Sequence, residues 1–93
     1  MPLGILEAGI RDVDFNIFPN PATDLLVIQA KGLVKETLQV ELYDLNGKKV
    51  LINKLLQGQS ISYVDTQTLV SGTYNLKISN GKSFISYPIV VTH

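Results

Sequence analysis

Along most of this chain apolar and polar residues alternate with a period of two. Leu38, Val40 and Leu42 take turns with Gln39, Glu41 and Tyr43, and Tyr74, Leu76 and Ile78 do the same with Asn75 and Lys77. Near the end, Ile85, Tyr87, Ile89 and Val91 share one face of KSFISYPIVV. This is the pattern of strands with one buried and one wet face. A helical reading through Val34, Leu38, Leu42 and Leu45 competes in the middle of the chain, and the following turn arbitrates. Asp44-Leu45-Asn46-Gly47 suits a type I turn closed by a left-handed glycine, while Asn46-Gly47 alone suits a two-residue type I′ loop. Either one returns the chain as a hairpin into KKVLINKLL.

The remaining elements follow from similar signals. Residues 1–12, MPLGILEAGIRD, fit neither period and read as a linker from an upstream domain, leaving 13–93 as the folded unit. Asp14 to Phe18 reads as a short strand that stops at Phe18-Pro19-Asn20-Pro21. Each proline fixes φ, lacks a donor and biases the residue before it toward extended backbone, so the pair predicts a rigid corner. DLLVIQA then continues as a strand with Leu26 and Ile28 on one face and Leu25, Val27 and Gln29 on the other. SISYVD is a further short strand, residues 66–72 a connection, and Asn80-Gly81 a turn into the last strand. Pro88 predicts that this last strand lies at a sheet edge or bulges there. The sum is all-β: an antiparallel, immunoglobulin-like β-sandwich of about seven strands, without the Cys and Trp landmarks of antibody domains.

Composition narrows the function. Ninety-three residues form one domain at most, and 45% hydrophobic with 17% charged residues is a globular balance. No apolar run approaches the ~18 residues of a transmembrane segment, and the start lacks the features of a signal peptide. Net charge is zero, which argues against non-specific nucleic-acid or membrane binding. The charge is unevenly spread: after Gly47 the only acid is Asp65, against Lys48, Lys49, Lys54, Lys77 and Lys82. That asymmetry fits either solvated strand faces or a mildly basic surface for an acidic partner.

Catalytic chemistry has little to work with. Cysteine is absent, and the single histidine, His93, is the final residue, where a general base is seldom held rigidly. The serines have no triad partner in view. Asp12 and Asp14 are two acids where a calcium site needs 6–8 oxygens. No phosphate loop or HExxH motif occurs. The expectation is therefore no catalytic residues, no cofactor and no metal. Tyr74 and Tyr87 share strand faces with aliphatic residues and are expected in the core; Tyr43 and Phe84 are expected outside. In LVSGTYNLKI, Leu69 anchors a crossing connection, Gly72 permits a tight or positive-φ backbone, and Tyr74 enters the core with its hydroxyl near backbone, the logic of a tyrosine corner.

Three stretches in order carry more than any one alone: FPNPATDLLVI, LQVELYDLNGKKV and LVSGTYNLKISNGKS. Together they resemble the carboxyl-terminal sorting domain of cargo proteins exported by the type IX secretion system of Bacteroidota. The resemblance rests on Phe18, Pro19, Asn20, Pro21, Ala22, Asp24 and Leu26, then Tyr43, Asp44, Gly47 and Lys48, then Leu69, Gly72 and Tyr74, with Asn80, Gly81 and Lys82 closing the third stretch. It implies a non-catalytic address tag attached to an upstream cargo protein and read by an outer-membrane translocon. It further implies cleavage by a sortase-like peptidase, with the cargo secreted or left at the cell surface. Many members end in basic residues, whereas this chain ends SYPIVVTH. An adhesion or carbohydrate-binding module, or a spacer in a surface enzyme, is the alternative for the same fold. Independently of the resemblance, Pro88 and the alternating KSFISYPIVV at the terminus suggest an exposed final strand whose unpaired edge a partner docks on by adding a strand.

Overall fold

A strand needs a partner for its backbone and a cover for its apolar face, and the alternating segments of this chain supply both to one another. The computed structural model describes residues 15–93, and all the regular structure in them is β. The strands are β1 (Phe15–Phe18), β2 (Leu25–Ala30), β3 (Leu38–Tyr43), β4 (Lys49–Leu55), β5 (Ile61–Asp65), β6 (Gly72–Ser79) and β7 (Phe84–Val91). They form a three-stranded sheet, β1-β2-β5, and a four-stranded sheet, β4-β3-β6-β7, with every ladder antiparallel. The expected sandwich is observed. The proposed linker 1–12, the Asp12–Asp14 pair and the start of the first strand at Asp14 lie outside the described residues.

The core is the set of inward positions of both sheets. Leu26, Ile28, Leu55, Leu76, Ile78 and Val91 are fully buried, with Val40, Leu42, Ile89 and Tyr74 beside them. Tyr87 packs against this cluster and Phe84 is exposed, as their strand faces predict. The hairpin reading at 44–47 also holds, and the structure chooses between its two forms. Gly47 has φ 83° and no other residue type in the described chain has positive φ, which excludes type I′ with Asn46 left-handed. The ladder slips by one residue between Leu42 and Tyr43, as expected where a left-handed glycine closes a type I turn.

Register places the chain ends of every strand. Phe18, Leu25, Tyr43, Lys49, Asp65, Gly72 and Val91 all stand at one pole of the sandwich. The corner 19–24, the turn 44–48 and the connection 66–71 are therefore neighbours there. The other pole holds the start of β1, the loops 31–37 and 56–60, and the turn 80–83.

Candidate functional site

The residues singled out from the sequence fall on this frame in two groups. Phe18 to Asp24, Tyr43 to Lys48, and Leu69 to Tyr74 meet at the first pole. Asn80, Gly81 and Lys82 stand at the opposite one.

Pro19-Asn20-Pro21-Ala22 leaves β1 in one sheet and crosses to the outer edge of β7 in the other. Both X-Pro peptides in it are cis. The Asn20 amide acts as a surrogate strand: its Nδ2 donates to the Pro88 carbonyl (3.2 Å) and its Oδ1 accepts from the Val90 N–H (3.0 Å). Ala22 continues the ladder, donating to the Val90 carbonyl (2.7 Å) and accepting from the Thr92 N–H (2.8 Å), in a single parallel bridge to Val91. Ala22 is fully buried. It belongs to the core cluster, a position that suits a small apolar residue after the second proline.

The same contacts explain Pro88. The N–H groups of Val90 and Thr92 point outward to Asn20 and Ala22, so by strand alternation the nitrogen of residue 88 points outward too. A proline there removes no bond to β6, and its carbonyl is capped by Asn20. The expected edge position is observed. The expectation of a free edge is not: the backbone from Pro88 to Thr92 is covered by the chain's own Asn20–Ala22. Only the outward positions nearer the start of β7, at Phe84 and Ser86, lie beyond that strap.

The other motif residues are likewise used by the fold. The Asp44 carboxylate accepts from the N–H groups of Asn46 and Lys48, both at 2.9 Å, and fixes the turn whose glycine is left-handed. Tyr74 is buried and its hydroxyl donates to the Val70 carbonyl four residues upstream, the tyrosine corner read from the sequence. Leu69 packs against the core as expected. Gly72 differs from expectation. Its φ is not positive, it pairs with Val91 as ordinary extended backbone, and a Cβ placed on it meets nothing within 4 Å. Neither conformation nor crowding requires glycine there.

The two Asn-Gly-Lys sequences prove to be different turns. In the first the acceptor is Asp44, three residues before the glycine. In the second it is Asn80 itself, whose Oδ1 accepts from Lys82 (2.9 Å) and Ser83 (2.8 Å), with Gly81 at φ 91°. Glu36 ties this turn to the neighbouring loop through Asn80 (3.2 Å).

Tyr43 belongs to an ionic cluster. Its hydroxyl donates to Glu41 Oε1 (2.9 Å), and Lys49 Nζ lies 2.9 Å from Oε2. The Lys49 contact first and the Tyr43 hydrogen bond second hold the Glu41 carboxyl below its ordinary value, against a weaker opposing push from burial. In return, the hydrogen bond to Glu41 raises both Lys49 and Tyr43 above theirs.

Sequence reasoning missed Thr66. It is fully buried, its hydroxyl donates to the Thr23 carbonyl (2.8 Å) and its N–H to the Asp24 carbonyl (3.0 Å). These bonds lock the end of the corner to the end of β5. No local signal marks it, because TQTL reads as any polar connection until the partner 43 residues away is known.

A corner, a hairpin and a tyrosine corner, in this order along the chain, thus meet at one pole. The model of the secretion system C-terminal sorting domain matches residues 16–92. The chain belongs to that family. The sorting domain defined by the match begins within β1 and ends just after β7, so it is the whole described sandwich. No curated protein is significantly similar to the chain. Among the described residues of this sorting domain no helix is long and apolar enough to cross a membrane, and no His, Cys, Asp and Glu group is arranged to hold a metal ion.

Proposed function

We propose that this sorting domain is a non-catalytic address for an upstream cargo protein, read by the outer-membrane translocon of the type IX secretion system. After passage a sortase-like peptidase cuts upstream of β1, and the cargo is attached to the cell surface or released. The observation that carries the reading is the family match over residues 16–92; the gathering of the corner, the Asp44 turn and the tyrosine corner at one pole supports it. The buried and hydrogen-bonded motif residues build that pole, while Leu45 and Val70, 73% and 78% exposed, are the side chains it offers outward.

The test is a reporter fused ahead of residue 1 in a bacterium with a type IX system and in its isogenic translocon mutant. Protease-accessible reporter at the surface of the first strain and its retention in the second is the expected result. Equal exposure in both, or none in either with the domain folded, would overturn the proposal. Mass spectrometry of the delivered reporter then reads the cleavage point.

A further inference from the structure

Two asparagines, Asn46 and Asn80, precede glycine within the same tripeptide, Asn-Gly-Lys. Asparagine is a thermolabile residue, and before glycine its weakness is specific. The glycine N–H loses its proton to base, and its nitrogen attacks the Cγ of the asparagine side-chain amide. A new C–N bond closes a five-membered succinimide ring, and the amide nitrogen leaves as ammonia. Water then opens the ring. Addition at Cγ gives aspartate, and addition at the main-chain carbonyl gives isoaspartate. Glycine favours the step because no Cβ stands in the way of the attacking nitrogen. With the tripeptide identical, a difference between the two sites comes from what the fold does with each.

The fold treats them in opposite ways. Asn80 is half-buried, and both ends of its side-chain amide are held. Its Oδ1 accepts from the N–H groups of Lys82 (2.9 Å) and Ser83 (2.8 Å), and its Nδ2 donates to Glu36 Oε2 (3.2 Å). To present Cγ to the nitrogen of Gly81, the amide has to leave these partners. Asn46 is exposed, and its amide has no partner among the described residues. Its turn is held instead by the Asp44 carboxylate, which accepts from the main-chain N–H of Asn46 and of Lys48 and leaves the Asn46 side chain to solvent. The attacking nitrogens do not distinguish the sites: the Gly47 N–H donates to the Asp44 carbonyl and the Gly81 N–H to the Ser79 hydroxyl, both at 3.0 Å. The difference lies in the amide under attack.

We propose that Asn46 is a site of spontaneous modification in the folded domain, converting to aspartate and isoaspartate, while the same tripeptide at Asn80 is protected by its hydrogen bonds. The reactants are the chain and water, and ammonia is released. Either product sets a second carboxylate two residues from Asp44. Isoaspartate also lengthens the main chain by a methylene, between the two N–H groups that Asp44 holds and beside the left-handed Gly47. The reaction therefore alters the turn that the Asp44 carboxylate fixes. The inference is independent of the sorting role.

Trypsin separates the two sites into peptides 36–48 and 78–82, each with a single asparagine, so the mass gain of amide-to-acid conversion assigns the event directly. The full 93-residue chain is incubated at mildly alkaline pH, once folded and once in urea, and sampled over time by mass spectrometry. In the folded chain Asn46 is expected to convert about tenfold faster than Asn80 or more, because the hydrogen bonds of the side-chain amide have to be given up at Asn80 alone. In urea the two rates are expected to become comparable. Equal rates in the folded chain, faster conversion at Asn80, or a folded turn that keeps Asn46 intact until urea releases it would overturn the proposal. So would a gap of the same size in urea, since flanking sequence and not the fold would then be its cause, and so would the absence of conversion in both states.

Discussion

Single side chains in the first-pole cluster do separable work. Asn20 replaces a strand with one amide, bonding Pro88 and Val90, so Asn20→Ala is expected to cost about 1–2 kcal/mol, the range for hydrogen bonds lost at an edge. Urea unfolding reads it, and an unchanged midpoint would mean water replaces the amide. The glycines divide by backbone. Gly47→Ala places a Cβ at φ 83° and should cost roughly 1–2 kcal/mol, whereas Gly72→Ala, extended and uncrowded, should leave stability unchanged or slightly raised. If Gly72→Ala unfolds at the wild-type midpoint yet impairs export, the glycine serves recognition and not the fold. Glu41 sets a pH dependence. Its folded pKa lies below 4.5, so its contribution is present above that value and is lost as pH falls through the lower folded pKa. Lys49 and Tyr43 are both raised, so their contributions are present below about 10 and are lost as pH rises beyond their folded values. Glu41→Gln is expected to lower the neutral region of a thermal-melting profile against pH slightly, because Lys49 is solvent-exposed and its pair is screened, and to flatten both limbs so that variant and wild type converge at the extremes of pH.

The strand is the unit at which edge docking has to be judged. Removing residues 83–93 would delete β7 with the buried Ile89 and Val91, expose β6 and unfold the sheet, so lost export would say nothing about the edge. Ser86→Pro is the sharper change. Residue 86 has the same outward parity as Pro88, so proline there spares the bonds to β6 and removes a donor from the part of the edge the strap leaves uncovered. If partners add a strand at this edge, Ser86→Pro is expected to reduce export without moving the unfolding midpoint; unchanged export rules that docking mode out. The strands themselves were readable because their apolar period matches the pleat and their turns carry Asp, Asn and Gly where turns need them. The strap was only half readable. Prolines at 19 and 21 announce a corner, but its landing place on β7 depends on a pairing some 70 residues distant, as do the bonds of Thr66. Gly72 was misread for a related reason: glycine before a strand suggests a special backbone, and here the strand simply begins earlier than its side-chain pattern does.

For the whole molecule, closure of the two sheets brings three motifs spread over residues 18 to 74 to one pole, an assembly that no local pattern announces. Most of what that pole spends its motif residues on is cohesion, so conserving the address and conserving the fold are easily confused in any export assay. Two kinds of substitution separate them. Leu45→Ser with Val70→Ser changes exposed side chains while the backbone bonds of the turn and of the Val70 carbonyl remain, so stability should shift by no more than about 0.5 kcal/mol per site. Ile78→Val deletes a methyl from a fully buried side chain on the central strand β6 and should cost roughly 0.5–1.5 kcal/mol while leaving the surface unaltered. If the translocon reads the exposed surface of this pole, the serine pair lowers surface delivery of the reporter at unchanged stability, and Ile78→Val lowers stability at unchanged delivery. The opposite outcome, with delivery following the unfolding midpoint across all the variants, would mean that a folded sandwich is all the export machinery requires from this domain, and that the shared motifs persist as fold determinants alone.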